Sequence, residues 1–220
     1  MKRILHAEED YLKLIYELTY EANEELTKPK KIAEIFNYSE QSVNEMIKKL
    51  LDKELVEFYP YKGVKLTEKG RHEAIRMIRI HRILEVFLIE KLGFEWQDVH
   101  EEVENLEHAV SEEMIERLNK YLGYPQYCPH GNPIPTASLK PVKPVQSSLN
   151  EADEGVTFKL LRVNDHKALL QYLNEQNIHL HDEFTVLSKD DLNKLIWIEG
   201  KNGEHVVSYH LADMIFGEIR

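Results

Sequence analysis

The sequence predicts a mainly α protein with small β parts, in which a winged helix-turn-helix comes first, acidic helices follow and a small β-barrel with one helix closes the chain. Three observations carry this. Within residues 28–71 a short apolar helix, a tight link and a longer amphipathic helix run directly into a two-stranded hairpin pattern. Residues 68–121 keep helical periodicity with a strong acidic bias, and residues 151–220 alternate short β-branched and aromatic runs with turn residues.

Length and charge narrow the class of function. The 220 residues suffice for one large domain or two or three small ones. The N-terminal MKRILHAEED turns acidic where a secretion signal would stay apolar, and no run approaches the ~18–20 apolar residues of a membrane span. The expectation is a soluble, cytoplasmic chain with no membrane partner. The single cysteine, Cys128, excludes an internal disulfide and fits a reducing compartment. A formal charge of −11 argues against nonspecific nucleic-acid binding by the whole surface. Yet residues 28–71 carry ten Lys/Arg against seven Asp/Glu, whereas 76–126 carry six against eleven and 151–220 carry seven against thirteen. The locally basic segment is the one with the helix-turn-helix pattern.

In chain order, Tyr11, Leu12, Leu14, Ile15 and Leu18 recur at helical spacing, and AEIF at 33–36 gives a short second helix after Lys28-Pro29. Ser39 suits an N-cap for the third helix, whose apolar face is Val43, Met46, Ile47, Leu50 and Leu51. Ser39, Gln41, Ser42 and Asn44 are then placed to reach base edges or phosphates, and Lys48 and Lys49 suit backbone contact. Val56 and Phe58 before a Pro60–Gly63 turn, with Val64 and Leu66 after it, predict a hairpin wing whose Lys62 and Lys65 would touch flanking phosphates. A long helix is expected over Glu68–Leu92, broken at Gly93, and another from about Trp96 to Tyr121, ended at Gly123. From Tyr124 to Ser148 the proline-rich text excludes regular helix and reads as an extended connector. Beyond it VTFKLLRV, FTVLSKD, KLIWIEGKNGEHVVSYH and FGEI read as short strands, with a hairpin turn at KNGE, and KALLQYLNEQN as one helix.

Several clusters could hold a divalent ion. Glu104, Glu107 and His108 stand at i, i+3 and i+4, so a helix would put two carboxylates and an imidazole on one face. A solvated acidic face explains the same residues about equally well. His81 and Glu85 are again i and i+4, on the preceding helix. Asp10 opens the first helix, where the helix dipole alone would favour an acid. Cys128-Pro129-His130 offers a thiolate and an imidazole in a stiff segment, a weak signal by itself, and Asp165 with His166 offers more donors. His179 and His181 read as surface residues. Enzyme signatures are lacking: there is no G-x-S-x-G, H-E-x-x-H, Walker or G-x-G-x-x-G pattern, and no glutamate precedes any of the eleven histidines by three.

HAEEDYLKLIYEL, SEQSVNEMIKKL with its wing, HRILEVFL, VHEEVENLEHAVSEEMIERL and HGNPIP occur in this order. Taken together, they make the chain resemble, across essentially its full length, the diphtheria-toxin-repressor family of metal-dependent transcriptional regulators. The likeness is to manganese-responsive members with a C-terminal SH3-like domain. The resemblance implies a winged helix-turn-helix DNA-binding domain at 1–72, a helical metal-binding and dimerisation domain at 73–140, a linker at 141–150 and an SH3-like, FeoA-type domain at 151–220. It implies a primary metal site of Asp10, Glu104, Glu107 and His108 with His81 alongside. A secondary site would use Glu85, Cys128, His130 and Asp165, tying the C-terminal domain to the helical one, with His100 in reserve. Oxygen donors with imidazole suit Mn²⁺, with Fe²⁺ the alternative and Zn²⁺ or other divalent ions able to occupy the sites in vitro. Some relatives carry a further carboxylate one turn after the aspartate. Here that position is Lys13, which counts against a closely bridged two-metal cluster.

The implied function is a repressor that binds double-stranded operator DNA as a homodimer when metal is bound, and controls metal homeostasis genes. Apolar stripes through Ile83, Val86, Phe87 and through Met114, Ile115, Leu118 are expected to serve both core and dimer interface. The rival readings are a winged-helix regulator responding to a non-metal ligand, separable by chelator sensitivity, and a metal-binding enzyme or store.

Overall fold

The computed structural model describes residues 4–220; residues 1–3, which begin the MKRILHAEED stretch and the 1–72 segment, lie outside the described residues. The chain forms two compact units, one of Met1–His81, Glu107–Arg117 and Ile134–Lys143, the other of Arg82–Leu106, Leu118–Pro133 and Pro144–Arg220.

In the first unit α1 (His6–Tyr16) runs on through a π turn to Glu21, and α2 (Pro29–Phe36) and α3 (Glu40–Asp52) form the helix-turn-helix. Pro29 at the first helical position needs no N–H partner, and Asn37 ends α2 in the left-handed region at φ 54°. Ser39 caps α3, its hydroxyl accepting from the Ser42 N–H at 3.1 Å. The α3 face that is buried comprises Val43, Ile47 and Leu50, packed with Leu12, Ile15, Tyr16, Ile32 and Ile75. Burial of each such side chain contributes roughly 1.5–3 kcal/mol. Leu51, expected on this face, is exposed because it lies one position beyond the stripe.

The wing is β1 (Val56–Tyr59) paired antiparallel with β2 (Gly63–Leu66), and Thr27 bridges to Val64 as a third rung. Gly63 is required there, since its φ is +145° and an added Cβ would lie 2.4 Å from the Thr27 carbonyl oxygen. From the wing the chain enters α4 (Glu68–Leu92), as its sequence pattern predicts, with Gly93 at φ +75° beyond its end.

The single helix expected from Trp96 to Tyr121 is instead two, α5 (Val99–Leu106) and α6 (Glu112–Tyr121). Ser111 starts the second, its Oγ accepting from the Met114 N–H at 3.2 Å. Of the apolar stripes expected to serve core and dimer interface, Phe87 and Leu118 are half-buried. Ile83, Val86 and Ile115 are buried within the protomer, whereas Met114 is 54% exposed.

The second unit contains a five-stranded antiparallel sheet of the SH3-like type, in the order β6-β5-β4-β3-β7. The strands are β3 (Thr157–Val163), β4 (Glu183–Asp190), β5 (Leu195–Gly200), β6 (Gly203–Ser208) and β7 (Ile215–Ile219), with α7 (Lys167–Glu175) after β3. Phe158, Leu160, Leu170, Val186, Ile196 and Ile198 are among the residues of its core. The Tyr172 hydroxyl on α7 donates to the Val206 carbonyl of edge strand β6 at 2.9 Å. The strand expected to run through Tyr209 and His210 stops at Ser208, whose side chain caps the short α8 (Tyr209–Ala212).

The connector carries neither helix nor strand, yet it is anchored. Arg79 donates to the Pro135 carbonyl at 2.9 Å and Arg82 to the Pro133 carbonyl at 2.8 Å, both guanidinium groups being buried. Among the described residues, no helix is long and apolar enough to cross a membrane.

Candidate metal centres and DNA-binding face

α1 opens with three consecutive acids, each with different partners. Glu8 accepts from Lys53 at 2.6 Å and from the Leu5 backbone N–H at 2.7 Å, which closes the helix N-terminus. Glu9 accepts from Arg76 through Oε1 at 2.5 Å, and its Oε2 lies 2.8 Å from Nδ1 of His108. Asp10 Oδ1 stands 2.9 Å from the other ring nitrogen, Nε2. The His108 ring is thereby held at both nitrogens, and His6 stacks on its face with centroids 4.6 Å apart.

Glu107 is 1% exposed. Its Oε1 accepts from Lys13 Nζ at 2.6 Å and its Oε2 lies 2.6 Å from His81 Nδ1. Burial alone would raise its carboxyl pKa, but His81 and Lys13 outweigh burial and hold it at about 2. Asp10, Glu107 and His108 each offer a donor atom, and these atoms lie within 4.8 Å of one another.

Thus four of the five residues anticipated for the primary site, Asp10, His81, Glu107 and His108, belong to one unit and are linked by short contacts. Glu104 lies in α5, in the other unit, 3.6 Å from His100 Nε2. Because α5 ends at Leu106, Glu107 and His108 stand in the turn after it, and one continuous helical face does not explain their convergence. Sequence reasoning missed Glu9 as the orienting partner of His108 and Lys13 as the partner of Glu107. The acidic run at 8–10 was the available signal for Glu9; nothing local pointed Lys13 at Glu107.

The second cluster is wholly buried. His130 is 0% exposed, with Nδ1 3.0 Å from Glu85 Oε1 and Nε2 3.1 Å from the Trp96 carbonyl oxygen. Donor atoms of Glu85, Cys128 and His130 lie within 4.8 Å of one another. The loop bearing Cys128 and His130 is fixed by backbone: Cys128 N–H donates to the Asn132 carbonyl, and Val163 N–H on β3 donates to the His130 carbonyl at 3.0 Å. Gly131, at φ +81°, presses against β3, where an added Cβ would lie 2.1 Å from the Leu161 carbonyl oxygen. Burial pushes the Cys128 thiol pKa up, and the Glu85 carboxylate adds to that. Burial would lower the His130 pKa, but Glu85 and Cys128 outweigh it and raise it to about 12. Asp165 lies nearer to His100, at 2.6 Å from Nδ1, than to His130, at 4.0 Å from Nε2. His166 meets the His210 ring edge-on, and exposed His179 lies 3.9 Å from Asp182.

On the winged helix the residues expected at DNA differ in their surroundings. Asn44 and Lys62 share a cleft of about 250 Å³ with Lys28, Lys30 and Tyr61, the last three not foreseen. Lys48 and Lys49 are exposed further along α3. Ser39 and Ser42 are joined hydroxyl to hydroxyl at 2.9 Å, and Gln41 donates to Glu45 at 3.3 Å. Lys65 already has Glu57 at 3.4 Å and the Tyr59 ring beneath it, so Lys62 is the wing lysine with the more open approach.

A winged helix-turn-helix in the same compact unit as a carboxylate-imidazole donor set defines a DNA-binding regulator equipped to respond to a divalent ion. Comparison with known proteins gives the family. Residues 4–64 match the iron dependent repressor N-terminal DNA binding domain, 67–136 the iron dependent repressor metal binding and dimerisation domain, and 147–219 the FeoA domain. The chain is 36% identical over 135 residues to the iron-dependent repressor IdeR of Mycobacterium tuberculosis, a match covering 61% of this chain but only 58% of that protein. It is 32% identical over 179 residues to the diphtheria toxin repressor of Corynebacterium glutamicum, covering 80% and 75%. A solved manganese-dependent transcriptional repressor in complex with manganese superposes with a TM-score of 0.88 at 33% identity, covering 96% of this chain and 98% of that one. The chain belongs to the iron-dependent (diphtheria toxin) repressor family, whose members are metal-dependent transcriptional repressors and not enzymes.

Proposed function

We propose that this repressor binds operator DNA as a homodimer when Mn²⁺ is bound, with Fe²⁺ as the alternative ion, and acts in the cytoplasm on genes of metal homeostasis. The observation that carries the reading is the convergence of Asp10, on the first helix of the DNA-binding region, with Glu107 and His108 from far along the chain. The donor set fits the ion. Two carboxylates and an imidazole suit Mn²⁺ or Fe²⁺, while Zn²⁺ and other divalent ions can take the same donors in vitro. The named metal-dependent relatives and the manganese-bound structural neighbour support the assignment.

In this reading Asp10, Glu104, Glu107 and His108 hold the primary ion with His81 alongside, and Glu85, Cys128 and His130, with Asp165, hold a second. A bound divalent ion supplies positive charge that favours carboxylates gathering round it. Since Asp10 sits on α1, metal at the primary centre fixes the helix against which the helix-turn-helix packs. Ser39, Gln41, Ser42 and Asn44 then face bases or phosphates, with Lys48, Lys49 and Lys62 on the backbone. Met114, exposed on α6, is a candidate for the dimer contact. The division into 1–72, 73–140, 141–150 and 151–220 belongs to the same proposal.

The test is a titration of Mn²⁺, Fe²⁺ and Zn²⁺ against binding to DNA selected from a random duplex pool, with a chelator control. Binding that appears with Mn²⁺ or Fe²⁺ and disappears with chelator supports the proposal. Tight sequence-specific binding in chelator would overturn it.

A further inference from the structure

The geometry points to Lys13 as a tethered cation that competes with the divalent ion for Glu107, and so sets the metal concentration at which the primary centre fills. This rests on the proposed primary centre.

Lys13 follows Asp10 by three residues on α1, so the two share a helix face. Its neighbours Tyr11, Leu12, Leu14 and Ile15 are core residues, and the Lys13 side chain itself is only 10% exposed. A lysine kept for solubility would extend its ammonium into water. Here the ammonium is turned inward, 2.6 Å from Oε1 of Glu107 and 3.4 Å from Nδ1 of His81. That oxygen is also the one that faces the rest of the donor set, 3.9 Å from His108 Nε2, whose own short contact is with Asp10 Oδ1. The second carboxylate oxygen is taken by His81. An ion bridging Asp10, His108 and Glu107 therefore arrives at an oxygen Lys13 already holds.

Two consequences follow from charge alone. The ion must displace the ammonium from Oε1 or share the oxygen with it at short range, where like charges repel strongly in a poorly hydrated pocket. Either way the affinity for metal is lower than the donor set alone would give. The lysine also keeps the buried Glu107 carboxylate neutralised, which would otherwise be costly. Filling the centre becomes the exchange of one cation for another, so the response threshold sits in a side chain that is not a ligand.

The experiment compares Mn²⁺ binding by the full chain carrying Lys13→Met, Lys13→Gln, Lys13→Arg or Glu107→Ala with that of the unaltered chain. Calorimetry reports affinity and stoichiometry, and thermal unfolding is followed with and without Mn²⁺. The phase lost in Glu107→Ala identifies the primary centre. The expected result is that Lys13→Met and Lys13→Gln bind Mn²⁺ in that phase about ten-fold more tightly or better, while melting lower than the unaltered chain in the absence of metal. Lys13→Arg, which keeps the charge, should stay near the original affinity. If both neutral variants bind within two-fold of the original, or more weakly, while Glu107→Ala still loses the phase, Lys13 is only a structural partner and the inference falls. If Glu107→Ala loses no phase, the primary centre itself is wrong, and the inference falls with it. Gln keeps hydrogen-bonding capacity, so a fold that fails with Met is still tested by Gln.

Discussion

The two candidate centres differ in how they are held. At the first centre side chains grip side chains, Glu107 held by Lys13 and His81 and His108 held by Glu9 and Asp10, in contacts that can be exchanged. At the second centre the loop of Cys128 and His130 is gripped by backbone hydrogen bonds and a glycine contact, His130 meets Glu85 of α4, and all three residues are buried. The first arrangement suits a site that fills and empties; the second suits one that, once formed, stays. A thiolate also shifts preference toward softer ions, whereas the first set is oxygen and imidazole.

That contrast can be broken by substitution. The largest expected effect is Glu107→Ala, which should lower Mn²⁺ affinity at the first centre by about 100-fold or more, since even outer partners of metal ligands are worth about 10–100-fold. Metal-dependent DNA binding, read by fluorescence anisotropy, should go with it. His130→Ala should act first on stability. It leaves the buried Glu85 carboxylate without its imidazole partner, at a cost of about 3–5 kcal/mol in thermal or denaturant unfolding. The Cys128→Ser, His130→Ala double variant should lose the second ion and keep the first, and full stoichiometry in it would remove the second centre.

Protons separate the centres too. Glu107 is ionised near neutrality, so metal at the first centre displaces no proton from it. Cys128 and His130 both hold their protons, and an ion binding there has to expel two. Apparent affinity at the second centre should rise by about two decades per pH unit near pH 7, measurable as buffer-dependent heat in calorimetry. The stability signs are opposite as well. The Glu107 pKa is lowered, so its contribution is present above the ordinary carboxylate range and is lost as pH falls toward about 2. The His130 pKa is raised, so its contribution is full below its ordinary value and is lost as pH rises toward about 12.

Two smaller effects sharpen the picture. Glu9→Gln should weaken Mn²⁺ binding about ten-fold by freeing the His108 ring, with little change at the second centre. Lys62→Ala should reduce the slope of DNA affinity against salt by about one phosphate contact and leave metal affinity unchanged.

Local signals carried most of the fold into the sequence. Ser39, Pro29, the Pro60–Gly63 turn and Gly93 each did a local job visible in the text, and the elements they bound lie where the pattern puts them. The break between α5 and α6 was hidden because the acidic SEEM run keeps helical periodicity through Ser111, and the hydroxyl that starts the new helix looks like any polar residue. The short α8 was hidden for a similar reason behind Ser208. Asp10 and His108 could be singled out by residue type and, with more force, by the family resemblance. The setting of His108 by Glu9 and of Glu107 by Lys13 could not, because those contacts join positions widely separated along the chain and no spacing rule reaches across it.

The clasp of Arg79 and Arg82 on the Pro135 and Pro133 carbonyls bears on how the chain meets a protease. Proline-rich connectors are common places for nicking when they hang free. Here a protease would have to pull an extended stretch away from buried guanidinium groups, and prolines deny it the backbone N–H groups with which an active-site cleft grips a substrate. Limited digestion should therefore spare residues 127–135 and start at exposed turns elsewhere, such as the tip around Leu192.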